Sequence, residues 1–143
     1  MLDARGTRIH CVEEGSGPLV LLVHGFPESW YSWRHQLPVI AEAGFRAVAL
    51  DVRGYGRSSA PLEVEAYGML RHVSDNIGVV EELTGRDSPA IIIGHDWGAP
   101  IASHSALLCQ TGAPAPQPPG LPVSGPQRPS SSPQAPGESI PSR

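Results

Sequence analysis

The sequence predicts an α/β protein with a parallel sheet, and two observations carry that expectation. Short, uninterrupted apolar runs at Leu19–Val23, Ala47–Leu50 and Ala90–Ile93 read as strands covered on both faces. Between them lie stretches whose apolar residues recur at helical spacing, so strands and helices alternate as in βαβ units. A third observation bounds the folded part, because the composition breaks after Leu108. Ten of the 16 prolines follow it, and the 34 residues from Gln110 to Arg143 also hold six serines and four glycines. That stretch has no aromatic residue, and its large aliphatics are Leu121, Val123 and Ile140. Such a composition buries too little apolar area to offset chain entropy. Residues 109–143 are therefore expected to be a disordered Pro/Ser/Gly-rich tail, and residues 1–108 the folded unit.

Thr7–Glu13 alternates like a strand and is followed by the turn signal Gly15-Ser16-Gly17-Pro18. Leu19–Val23 is the first buried strand. The spacing over Trp33–Ala43 predicts a helix closed by Gly44, a natural residue past a helix end. Ala47–Leu50 is the second buried strand. Val64–Leu83 predicts a second helix, closed by Thr84-Gly85, with Glu63, Glu65, Glu81 and Glu82 on its solvated side. Ala90–Ile93 is the third buried strand, and Pro100–Leu108 begins another helix.

The chain has 143 residues, a net charge of −4 and 40% hydrophobic residues, which allows one domain at most. All ten basic residues are Arg and they are scattered, so there is no footprint for nucleic acid or an anionic membrane. No apolar run approaches the roughly 18–20 residues of a membrane span. The start, Met1-Leu2-Asp3-Ala4-Arg5, lacks the basic and apolar regions of a signal peptide. Two cysteines, Cys11 and Cys109, cannot form a disulfide framework, so the expectation is a soluble cytoplasmic chain. His10, His35 and His72 show no ligand spacing, and neither a metal site nor a cofactor site is read.

Chemistry enters at Gly94-His95-Asp96-Trp97-Gly98, which joins a strand to a helix. This is the setting of a nucleophile elbow, G-x-S-x-G, with aspartate in the serine position. The turn strains its central residue, and small residues two before and two after let the backbones pass. Taken alone, the aspartate could equally cap the helix. Two further motifs follow the other buried strands: His24-Gly25-Phe26-Pro27 with Glu28-Ser29-Trp30-Tyr31-Ser32-Trp33-Arg34, and Asp51-Val52-Arg53-Gly54-Tyr55-Gly56-Arg57-Ser58-Ser59. With all three motifs in place, the sequence over about residues 5–108 resembles the α/β-hydrolase family and, within it, the soluble epoxide hydrolases.

The resemblance implies an α/β-hydrolase fold of which residues 1–108 form a partial core, ending after the elbow strand and helix. It implies Asp96 as the nucleophile toward a small-molecule epoxide, giving a vicinal diol through an ester on Asp96. Aspartate is already an anion at neutral pH and needs no base to attack. The backbone N–H groups of Phe26 and Trp97 would form the oxyanion hole, with Phe26–Pro27 a cis peptide. His24 is expected to brace the turn, His95 to pack within the elbow, and Asp51, Arg53 and Ser58 to tie a loop beneath it. The family's relay acid, base histidine and lid tyrosines would follow the nucleophile, yet His104 is the one histidine after Asp96, and Tyr31, Tyr55 and Tyr67 precede it. The break at Leu108, with Arg in place of every Lys, is what a reading-frame change in a GC-rich gene would write. Turnover by this chain is accordingly doubtful. Alternatives are a haloalkane dehalogenase-like hydrolase, which shares the Asp nucleophile, and a non-catalytic truncated product or Pro-rich interaction fragment; oligomeric state is not read.

Overall fold

The computed structural model describes residues 1–85 and 88–109. The tail expected over 109–143 lies, apart from Cys109, outside the described residues. Strands β1 (Leu2–Ala4) and β2 (Thr7–Ile9) form a small antiparallel hairpin. Strand β3 (Cys11–Glu14) then enters a second sheet, with β4 (Leu19–Val23), β5 (Arg46–Leu50) and β6 (Ile91–Gly94). The order is β3-β5-β4-β6, with β3 antiparallel to β5 and the other three strands parallel. Thr7–Glu13 is thus two strands in two sheets. The break falls at His10, whose N–H donates to Ser58 Oγ and whose carbonyl accepts from Asp51 N–H, each at 2.9 Å.

The helices are α1 (Gln36–Glu42), α2 (Met69–Thr84) and α3 (Gly98–Leu108). The first helical stretch predicted from sequence divides into a 3₁₀ turn, Trp30–Trp33, and α1. Pro38 has no N–H to give, so it is tolerated in the first turn of α1 but not deeper. Pro100 sits in the same way near the start of α3. The second stretch divides at Gly68, which is extended (φ −62°, ψ 150°), between a 3₁₀ turn at Val64–Tyr67 and α2. Arg53 takes the Ala66 carbonyl at 3.1 Å, which holds that turn apart from α2.

Alternation along β4 and β5 divides the core in two, as a period of two requires. Leu19, Leu21, Val23, Val48 and Leu50 pack with Val79 and Val80 of α2 and Ile101 of α3. Val20, Leu22, Ala47 and Ala49 pack on the other face with Leu37 of α1 and the partly buried Trp30 and Trp33. The hairpin rests on α2 at Gly78, where a Cβ would stand 2.9 Å from Ala4 Cα. Among the described residues β6 has a strand neighbour on one side only, and Ile93 is 40% exposed.

Register matters most for function. Val23 pairs with Leu50 on one side and Gly94 on the other. The three parallel strands therefore end level, and the three motif loops leave from one edge of the sheet. Among the described residues no helix is long and apolar enough to cross a membrane.

Candidate active site

Between the last residue of β6, Gly94, and the first of α3, Gly98, the chain reverses through His95, Asp96 and Trp97. The two glycines are required by space. A Cβ on Gly94 would overlap the Gly98 carbonyl, and one on Gly98 would overlap the Val23 carbonyl. Asp96 takes the strain of this reversal, with φ +50°, a value rare outside glycine. Its carboxylate is exposed above the end of the sheet. Gly25 lies against it, where a Cβ would stand 2.5 Å from Asp96 Cβ.

The Phe26 N–H donates to Asp96 Oδ1 at 2.9 Å. With the Trp97 N–H second and His95 a smaller contributor, this holds the Asp96 carboxyl below the ordinary carboxylate range, against slight desolvation. The Phe26–Pro27 peptide is cis. The structure thus brings together Asp96 and the two backbone N–H groups named from sequence, at one end of one sheet. The side chains of Phe26 and Trp97 are 62% and 61% exposed, and both border a cavity of about 420 Å³. Tyr55, Tyr67, Met69 and Ile101 line it further in. Its size falls within the range of ligand pockets, roughly 300–1,000 Å³.

The second motif lies beneath. Asp51, 1% exposed, accepts from the N–H groups of Trp30 (2.9 Å) and Arg57 (3.1 Å), and His10 Nδ1 stands 2.9 Å from its Oδ2. Ser58 Oγ donates to the Asp51 carbonyl at 2.7 Å. Arg53 grips Asp75 of α2 through two bonds of 2.6 and 2.8 Å and also donates to Thr7 Oγ1 at 2.8 Å. These residues join the loops to the scaffold and do not face Asp96. His104 turns its Nδ1 to the Pro100 carbonyl at 2.6 Å, along α3 and on its exposed side.

One contact was not read from sequence. His95 Nε2 stands 2.9 Å from Glu28 Oε2, and the Trp33 ring meets the imidazole edge-on at 5.0 Å. Two positions this far apart in the chain carry no spacing signal. Glu28 differs from other surface acids only in following Phe26-Pro27 directly. Among the described residues no group of three or more His, Cys, Asp or Glu is placed to hold a metal ion.

Comparison with known proteins gives the same picture. The family described as alpha/beta hydrolase fold matches residues 18–111. Epoxide hydrolase B of Mycobacterium tuberculosis is 53% identical over 112 residues, which is 76% of this chain and 31% of that protein. Bifunctional epoxide hydrolase 2 of Sus scrofa is 50% identical over 103 residues, 72% of this chain and 18% of that one. Among solved structures, an epoxide hydrolase from an endophytic Streptomyces superposes with a TM-score of 0.73 at 63% identity, covering 77% of this chain and 33% of its own. Epoxide hydrolase I of potato (Solanum tuberosum) gives 0.70 at 44% identity, covering 74% and 34%. The chain spans about a third of the length of most of these relatives, and less of the bifunctional one.

Proposed function

The chain belongs to the α/β-hydrolase family, and from that premise we propose that it carries the nucleophile side of an epoxide hydrolase site, with Asp96 as nucleophile. The observation that carries this reading is an exposed carboxylate, kept anionic by two backbone N–H groups, at the strained elbow of a parallel sheet. A free oxygen of Asp96 attacks an epoxide carbon. The carbon–oxygen bond of the ring breaks, its electron pair goes to the ring oxygen, and that oxygen takes a proton to become a hydroxyl. The result is an alkyl ester on Asp96. Water adding at Cγ would turn the remaining carboxyl oxygen into an oxyanion. That oxygen is the one the Phe26 N–H already reaches, with the Trp97 N–H beside it. Removing such a donor costs roughly 3 kcal/mol of transition-state stabilisation. The cavity bordered by Phe26 and Trp97 offers room for the carbon skeleton of the epoxide.

Activation of the water falls to a base, and the described residues offer none in place. His95 is engaged with Glu28, and His104 bonds along its own helix. The 143-residue polypeptide is therefore expected to stop at the ester. Its similarity to epoxide hydrolases favours an epoxide over a haloalkane as the electrophile. The test is to incubate the chain with a terminal epoxide such as styrene oxide and locate the added mass. One adduct on Asp96, absent in Asp96→Ala, with diol no more than stoichiometric, is the expected result. No adduct on Asp96 would remove the nucleophile assignment. Catalytic diol release that vanishes in Asp96→Ala would show that a base is supplied after all.

A further inference from the structure

One peptide unit at the site is held at both ends. In a trans peptide the carbonyl and the N–H point in opposite directions from one plane. For the Gly25–Phe26 peptide, the N–H donates to Asp96 Oδ1 at 2.9 Å. Its carbonyl oxygen lies 2.8 Å from His24 Nδ1, and the Glu28 N–H reaches the same oxygen at 3.1 Å. On the far side of the imidazole, Nε2 lies 2.9 Å from the backbone nitrogen of Val52, just past β5. A backbone N–H can only donate, so Nε2 accepts. A neutral imidazole that accepts at Nε2 carries its proton on Nδ1, and that N–H donates to the Gly25 carbonyl.

We propose that His24 is a positioning residue that, as the neutral Nδ1–H tautomer, fixes the Gly25–Phe26 peptide plane against the end of β5 and so aims the Phe26 N–H at Asp96. The ring has no freedom to do otherwise. It is 1% exposed, and Tyr55 meets it edge-on at 5.3 Å. Burial drives its pKa down, outweighing the Gly25 carbonyl and the Asp51 and Glu28 carboxylates; His95 lowers it further. A charged ring would turn a second N–H toward the Val52 N–H and break the anchor. The loop has little else to hold the plane. Phe26 is largely exposed, and Pro27 has no N–H to contribute. What the aimed donor does in catalysis rests on the reading above; the aiming itself does not.

Amide exchange at Phe26, read by mass spectrometry with fragmentation of the full chain, tests this. In His24→Phe, which keeps the ring and loses both bonds, Phe26 should exchange on the order of fivefold to tenfold faster, the effect of one ordinary hydrogen bond. The amides of Leu21–Val23 should keep their protection. His24→Asn retains a donor near the Nδ1 position and should keep most of the slowing. Unchanged Phe26 exchange in His24→Phe, or equal loss in both variants, would overturn the proposal. If His24→Phe loses protection across β4, the unaltered chain decides: ¹⁵N spectra of its histidines should show His24 neutral and protonated at Nδ1 at pH 7. A charged or Nε2–H ring there would overturn it. Alkylation of Asp96 is a separate measurement, so a failed aim and a failed nucleophile assignment are told apart.

Discussion

At the scale of single residues, Asp96 has the most to answer for. Its pKa is lowered by the Phe26 and Trp97 N–H groups. A group whose folded pKa lies below its unfolded value contributes stability that is complete above the unfolded value, about 3.9 for aspartate, and lost as the pH falls through the folded one. Alkylation of Asp96 by an epoxide should follow the same window, holding its rate to below pH 4 and falling only beneath that. A pH–rate profile by mass spectrometry checks it. The thiols are natural competitors for the electrophile, but burial pushes the Cys11 thiol up to about 12 and raises that of Cys109. Neither is a thiolate at pH 7, so the adduct should map to Asp96 and not to cysteine. Gly25→Ala should slow that adduct by tenfold or more, about 1.4 kcal/mol in the barrier, because the new methyl would stand 2.5 Å from Asp96 Cβ. Asp96, Phe26, Trp97 and both elbow glycines were legible because local chain geometry demands those residue types at those spacings. The Glu28–His95 pair was not, since nothing local requires it.

Among the elements, legibility follows burial. The strands β4 and β5 are covered on both faces, so each writes itself as an unbroken apolar run. The hairpin strand β1 has three residues with one charge among them, too short and too polar to stand out. The two predicted helices that divide do so for tertiary reasons. Arg53 reaches across from the β5 loop to take the Ala66 carbonyl, and that partner is invisible in a local window. The same arginine links the loop to α2 through Asp75, a pair with side chains 10% and 7% exposed. Arg53→Ala would leave Asp75 buried without its partner and should cost about 3–5 kcal/mol, the effect of breaking a buried ion pair from one side. Urea denaturation followed by circular dichroism measures this. Since the loop that Arg53 anchors also receives His24, the variant should loosen Phe26 as well.

For the whole molecule, the position of β6 dominates. Its outer edge is the run Ile91-Ile92-Ile93, with no charge, proline or bulge to discourage pairing. The 143-residue chain is expected to associate with rising concentration through this edge and to unfold without a sharp transition. Sedimentation velocity over a concentration series reads the first, and Ile93→Lys, which places a charge on the 40% exposed position, should shift the distribution toward monomer. A monomer that melts sharply would mean that the edge is covered. Sequence patterning could show that Ala90–Ile93 is a strand. Its place in the sheet order depended on the resemblance, because order is set by pairing between distant segments.

The register that brings three strand ends level also sets a sequence in time. The β3, β4 and β5 segments lie within the first 50 residues, and their pairing requires only short loops to close. Strand β6 joins β4 only after some 70 further residues have been drawn in, as the Val23–Gly94 pairing shows, and long closures are entropically slower. During synthesis, the loop that carries the Phe26 donor can therefore be in place on its half-sheet before Asp96 leaves the ribosome. The nucleophile is the last piece of its own site to arrive. Pulse-labelled exchange during refolding should find Leu21 and Val48 protected before Ile92, and Phe26 last of all.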